Sequence, residues 1–234
     1  MSDSYSAVAD EYYNEILHPT CNDFGYASLS LLRDYLRLRP LQGVVCEVGA
    51  GLSALLTALD GNQQAARVVV TDNSREMLSH SQTRFAGQAE FVLSDASHLP
   101  FPGQSVDMLT ASLGDPYNSP EFWHEVHRVS KLGARIFFST PSWEWASAFR
   151  SVGKNEREGS ALFITQSGKK IYLPSCILPE IEQGAMMKAA GLHVEQISHF
   201  RLSDLKSAQL PTSPKLGGYL DDDDSVVTSF WVKK

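Results

Sequence analysis

Cysteine is scarce. Cys21, Cys46 and Cys176 are the three in a chain of 234 residues. Their number is odd, and their spacing matches neither a disulfide framework nor a zinc site, so a reducing, cytoplasmic setting is expected. No apolar run nears the roughly 20 residues needed to cross a bilayer. The opening stretch, Met1 to Asp10, is polar and acidic and so does not read as a signal peptide. A basic stripe is also missing, and the formal net charge is −7. Nucleic acid and anionic lipid are bound by Lys and Arg that neutralise phosphate, so unaided binding to either is not expected. Low-complexity tracts and internal repeats are absent. What remains is a hydrophobic content of 43%, a globular level. The length suits one sizeable core and falls short of two ordinary domains, so 1–234 reads as one domain. Oligomeric state is left open.

The pattern along the chain begins helical. Tyr5, Val8, Ala9, Tyr12, Tyr13 and Ile16 recur at helical spacing, and Pro19 is expected to end that helix. A second helix is expected from about Asp23 to Leu38, closed by Pro40. Strands and helices then alternate. Strands are expected at Gly43 to Val48, Ala66 to Thr71, Glu90 to Leu93, Val106 to Ala111 and Ala134 to Ser139. Helices are expected at Ser53 to Leu59, at Ser74 to Phe85, and from Ser119 as N-cap to a stop at Gly133. Such alternation predicts an α/β fold with a doubly wound, mostly parallel sheet. After Pro141 the pattern changes. A short helix starts near Trp143, and a hairpin is expected around Ser167-Gly168. A helix from Pro179 to Ala190 and closing strands at His193 to Arg201 and Ser225 to Lys233 follow.

The most informative residues are Glu47, Gly49 and Gly51. The apolar run Val44, Val45, Cys46 reads as a buried strand, followed by a glycine turn and a helix. Such a turn brings backbone N–H groups and a helix N-terminus to a ligand. A carboxylate at the strand tip repels a pyrophosphate and attracts a cation. S-adenosylmethionine fits, because it carries an ammonium and a sulfonium and its adenosine lacks phosphate.

Four motifs carry a resemblance. They are Glu47-Val-Gly-Ala-Gly51, Val70-Thr-Asp-Asn-Ser-Arg-Glu-Met-Leu78, Ser94-Asp-Ala-Ser-His-Leu-Pro-Phe101 with Ser105-Val-Asp107, and Arg128-Val-Ser-Lys-Leu-Gly-Ala134. In this order the chain, from about Gly43 to Lys234, resembles the class I S-adenosylmethionine-dependent methyltransferases, in their small-molecule, type 11-like branch. One departure is Ser53, where the family often has a third glycine. The resemblance implies a seven-stranded sheet whose last strand runs antiparallel, with 1–40 as a helical lid, 43–142 as the donor-binding half and 143–234 as the acceptor-side half. It also implies S-adenosylmethionine as donor and S-adenosylhomocysteine as product.

Roles follow position by position. Gly49, Ala50 and Gly51 let the backbone approach the ligand. Glu47 is expected to hold the methionine ammonium, and Asp72 to accept the ribose hydroxyls. Asn73 and Met77 flank the adenine, Asp95 accepts from its amino group, and the Ala96 N–H donates to its ring. Ser112 joins the donor-side group. Tyr5 and Tyr12 resemble a lid that closes over the donor; the alternative is ordinary aromatic packing.

For the acceptor, Asp115 is a candidate base and Tyr117 a stacking or hydrogen-bonding partner, in the run Gly114-Asp-Pro-Tyr-Asn118. The alternative there is a helix-entry turn. His18 is a further candidate base, against a structural role. Trp143, Trp145 and Tyr172 are candidates for an aromatic wall or for core. No metal is expected: His124 and His127 share a helix but lack a third ligand. Asp221 to Asp224 lacks the Gly and terminal Glu of a calcium loop.

The expected function is therefore methyl transfer to a small-molecule acceptor. Alternatives are a nucleic-acid or protein acceptor, a non-catalytic donor-binding scaffold, and, more distantly, an NAD-dependent oxidoreductase, since Gly49-x-Gly51-x-x-Ala54 also matches a dinucleotide fingerprint.

Overall fold

The computed structural model describes residues 4–60, 66–151 and 159–234. Residues 1–3 of the Met1 to Asp10 stretch lie outside them. The N-terminal segment holds one short helix, α1 (Ala9–Tyr12), and then α2 (Pro19–Leu38). The α/β part runs β1 (Val44–Val48), α3 (Ala54–Leu59), β2 (Arg67–Asp72), α4 (Arg75–Arg84), β3 (Glu90–Leu93), β4 (Val106–Ala111), α5 (Pro120–Val129) and β5 (Ser130–Pro141). After it come α6 (Trp143–Ser151), β6 (Ser160–Ile164), β7 (Lys170–Pro174), α7 (Glu180–Ala189) and β8 (His193–Arg201). The chain closes with α8 (Leu202–Ser207), α9 (Pro214–Gly217) and β9 (Ser225–Lys233).

Seven strands form one sheet in the order β3-β2-β1-β4-β5-β9-β8, and β6 pairs with β7 in a separate hairpin. β9 runs antiparallel to both neighbours, while the pairs among β1 to β5 are parallel. Parallel strands need helical crossovers, which cover both faces of the sheet. Neighbouring residues on a strand therefore bury on opposite sides. Val45, Phe137 and Trp231 enter one cluster with α2, α3 and α6. Cys46, Phe138 and Phe230 enter the other with α5 and α7. Strand order reverses between β1 and β4, and in such sheets ligands bind outside the carboxyl ends of the strands at that reversal.

Three expectations need correction. Pro19 does not end the first helix; it is the first residue of α2. A proline there gives up an N–H that has no helical partner in any case. The helical spacing from Tyr5 to Ile16 yields four helical residues, and Ile16 is 90% exposed. Second, α5 stops at Val129 instead of Gly133, and Ser130 already pairs with Val106 before a bulge restores register. Gly133, at φ +80°, turns within β5 instead of capping a helix. Third, α8 and α9 occupy the connection between the two closing strands, which was expected to be a loop holding the aspartate run. Leu205 and Leu216 bury fully into the core and anchor them. The aspartate run itself is a capped turn: Asp224 accepts from the Asp221 N–H at 2.8 Å, and Asp222 pairs with Lys206. No cluster of metal-ligating side chains occurs among the described residues. None of their helices is long and apolar enough to cross a membrane.

Candidate active site

The glycine turn after β1 is left-handed at Gly49 (φ +61°) and Gly51 (φ +47°), a conformation costly for residues with a Cβ. Asp72, at the tip of β2, fastens it: Oδ2 accepts from the Gly51 N–H at 2.7 Å, and Oδ1 accepts from the Ser74 N–H at 2.8 Å. One carboxylate thus sets the glycine turn and the entry to α4 together. The Ala50 N–H donates to the Thr71 carbonyl at 3.0 Å and ties the turn to the neighbouring strand. The space above the glycines is closely held. A Cβ on Gly49 would lie 2.2 Å from Cε1 of Tyr117, and one on Gly51 would lie 2.2 Å from Oη of Tyr13.

Glu47 departs from its expected role. It is fully buried, and its carboxylate is turned into the start of α3. Oε1 accepts from the Leu55 N–H at 2.9 Å, and Oε2 accepts from the Ser53 hydroxyl. It does not line the cleft below. Ser53, at the position of the expected third glycine, explains the turn: its Oγ caps α3 at Leu56 N (2.9 Å) while its hydroxyl binds Glu47. Burial pushes the Glu47 carboxyl up to about 7, opposed by the bonds from Ser53, Leu55 and Ala54.

A cleft of about 1600 Å³ opens over the turn. This exceeds the roughly 300–1,000 Å³ typical of a site for one drug-sized ligand. Of the expected donor-side residues, Tyr5, Tyr12, Gly49, Ala50, Gly51, Asp72, Asn73, Met77, Asp95 and Ser112 line it. Ala96 lines a smaller adjoining hollow that also includes Gly49, Asn73 and Asp95. Asp95 Oδ1 accepts from the Ser97 N–H (2.8 Å) and hydroxyl (2.7 Å), and these bonds hold its pKa down, so it is anionic at neutral pH. The Ser112 hydroxyl is buried on the cleft wall with no hydrogen-bond partner among the described residues.

The three acceptor-side candidates share this cleft. Asp115 is buried in the 3-10 turn Asp115–Tyr117, which the Cys176 N–H holds through the Asp115 carbonyl at 2.8 Å. Tyr117 donates its hydroxyl to the Val48 carbonyl at 2.6 Å, and burial pushes its pKa far up. It therefore stays protonated and braces the turn after β1, in place of reaching for an acceptor. His18 packs against Phe163 with ring centres 4.0 Å apart. Burial lowers its pKa, so it is neutral at physiological pH; its Nε2 stands 3.8 Å from Glu11.

The N-terminal segment reaches the cleft and the core at once. Tyr5, Tyr12 and Cys21 pack with Val8, Phe163, Ile171 and Leu173, which joins this segment to the β6–β7 hairpin. Tyr12 stacks on Phe163 at 5.9 Å with a 10° interplanar angle. The N-terminal segment and the β6–β7 hairpin thus meet on the cleft lining. Trp145 lines the cleft and also enters the core, whereas Trp143 is exposed and Tyr172 lies off the lining. Tyr13 is the residue that sequence pattern missed: its Oη accepts from the Leu52 N–H at 2.6 Å, directly on the glycine turn. Its helical spacing marked it as a packing residue, and nothing local showed that its hydroxyl would meet a turn 39 residues on. Tyr13→Phe is expected to cost about 1 kcal/mol and to speed amide exchange at Leu52 by about fivefold. Unchanged exchange there would show that the contact does not hold the segment down.

Residues 45–133 match the family described as "Methyltransferase domain". A demethylmenaquinone methyltransferase of Clavibacter sepedonicus is 39% identical over 100 residues, 40% of this chain and 39% of that protein. The matched stretches span between 22% and 46% of the curated relatives' lengths, less than half of each. Among solved structures, a Haloferax volcanii methyltransferase in complex with the Trm112 methyltransferase activator superposes over 100% of this chain and 98% of its own. That superposition has a TM-score of 0.68 and 17% identity. Geranyl diphosphate C-methyltransferase from Streptomyces coelicolor, solved with S-adenosyl-L-homocysteine, covers 87% of this chain and 78% of its own, with a TM-score of 0.62 and 13% identity. At such identities the likeness is one of fold.

Proposed function

We propose that this chain, whose residues 45–133 match a methyltransferase domain and whose fold is that of solved S-adenosylmethionine-dependent methyltransferases, transfers a methyl group from S-adenosylmethionine to a small-molecule acceptor. The observation that carries this reading is the left-handed glycine turn pinned by Asp72 at the strand reversal, with the carboxylates of Asp72 and Asp95 on one cleft wall. Anionic walls favour a cationic, phosphate-free nucleoside over a dinucleotide. The selecting charge comes from these two residues and not from Glu47.

The residues fit the donor. The Gly49–Gly51 backbone gives close approach, and Asp72 stands where a ribose is held in sheets of this kind. A carboxylate has about four acceptor positions. Met77 and Asn73 offer an apolar and a polar surface to the base, and Asp95 with Ala96 its polar edge. When bound, the donor supplies an electrophilic methyl carbon: an acceptor lone pair forms the new bond as the carbon–sulfur bond breaks, and both electrons of that bond go to sulfur. Asp115 is the group placed to take a proton from an acceptor that starts as O–H or N–H. Tyr5, Tyr12, Tyr13 and Phe163 exclude water and hold the partners in line, the main contributions available to such a displacement. In this reading 1–40 is the lid, 43–142 the donor half and 143–234 the acceptor side of one unit.

Calorimetry with S-adenosylhomocysteine tests the proposal. Micromolar binding is expected, together with no binding of NADH. A chain that takes up neither S-adenosylmethionine nor its product has another function. A measurable preference for NADH would favour the oxidoreductase instead.

A further inference from the structure

The charged groups on the cleft wall are unevenly placed. Asp72 and Asp95 stand at the tips of β2 and β3, beside the glycine turn. Asp115 follows β4. Lys215 of α9 also lines the cleft, with His18. Glu15 on the N-terminal segment and Arg84 of α4 are the remaining charged residues of the lining, and the Arg84 guanidinium lies over the Phe85 ring. Among the described residues Lys215 has no carboxylate partner; its Nζ lies over the Phe149 ring, 5.9 Å from the centre. Its backbone is fixed, because the Trp145 indole donates to the Lys215 carbonyl at 2.8 Å. Burial lowers the pKa of His18 and raises that of Cys21, and the Lys215 charge acts on both as a smaller contribution, which places it electrostatically beside them.

The walls around this cation are aromatic. Trp145 and Phe149 stack at 5.1 Å with a 15° interplanar angle, and Phe24 and Tyr219 meet them edge-on at 4.8 and 5.4 Å. Phe163 and His18 form a second ring pair on the lining. A cation held over an aromatic surface, without a carboxylate of its own, is a receptor for an anion on a flat apolar body.

Resting on the methyltransferase reading above, we propose that the acceptor is an aromatic or conjugated small molecule bearing an anionic group, with Lys215 pairing that anion and Trp145, Phe149 and Phe163 walling its ring. The cleft then matches charge at both ends: acidic groups face a cationic donor, and a lysine faces an anionic acceptor. Lys215 sets acceptor specificity and takes no part in holding the donor.

The test uses hydroxybenzoates and hydroxynaphthoates, each paired with its neutral amide, titrated into the whole chain saturated with S-adenosylhomocysteine and followed by NMR. The wild type is expected to bind the acids at least tenfold more tightly than the amides. Lys215→Met should abolish that preference, Lys215→Arg should retain it, and all three proteins should bind S-adenosylhomocysteine equally. Equal binding of acids and amides, no binding by any pair, or a preference that survives in Lys215→Met would overturn the inference. If S-adenosylhomocysteine itself fails to bind, the methyltransferase reading falls; if it binds and the panel result is negative, only the acceptor class falls.

Discussion

Asp72→Ala is expected to weaken S-adenosylhomocysteine binding by about 100-fold, close to 2.7 kcal/mol. The carboxylate does two jobs in one place. It accepts from Gly51 N and Ser74 N, and so holds the glycine turn in its left-handed form and starts α4. It also lines the cleft where the ribose is proposed to sit. Truncation leaves two backbone donors without their acceptor and removes one of the two negative charges that favour a cationic ligand. Asp72→Asn separates these effects, since an amide oxygen still accepts one backbone bond while the charge is gone. About tenfold weaker binding is expected for that variant. Calorimetry on both, with backbone amide shifts of 49–53 as a check on the turn, decides the matter. An Asp72→Ala protein that binds the product as tightly as the parent would remove Asp72 from the donor site.

The second large effect is on stability. Glu47 has a pKa near 7 in the folded chain against 4.5 for an ordinary glutamate, raised chiefly by burial. Between these two values the unfolded chain has released a proton that the folded chain still holds. Stability therefore falls as pH rises from about 4.5 to 7, by ~3 kcal/mol for this group, and its contribution is flat above that window. Glu47→Gln cannot ionise, so its unfolding free energy should lack this decline. Urea unfolding of both proteins at several pH values reads it directly. Curves that run parallel through the window would show that Glu47 is ionised throughout. Ser53 belongs to the same argument, because its hydroxyl is one of the bonds that pull the Glu47 pKa down.

How much was readable beforehand differs from element to element. The strands at Glu90–Leu93, Val106–Ala111, His193–Arg201 and Ser225–Lys233 begin and end where hydrophobic pattern and flanking turns place them. Those signals are local. The caps Ser74 and Ser119 are equally legible, since a side-chain oxygen before a helix has one strong use: they accept from Met77 N and Phe122 N. The α5 boundary was not legible, because Ser130 is claimed by pairing with Val106 of β4, a contact between distant segments. Pro19 is ambiguous by nature: the same ring ends one helix or begins the next, and the docking of α2 on the sheet decides between them.

By itself the sequence determined the alternating α/β order, the glycine turn at the end of the first strand and the acidic tips of the second and third. Each depends on residues close together in the chain, where propensity and backbone sterics act alone. Tertiary structure alone decided where those groups point. Glu47 and Asp72 look alike as acids at strand tips, yet Ser53 and the start of α3 draw one inward, while the glycine turn and Ser74 hold the other on the cleft wall. Tyr13, Tyr117, Phe163 and Lys215 come from four separate segments and meet over one cleft. Such meetings arise from the packing of distant surfaces, which no local pattern encodes.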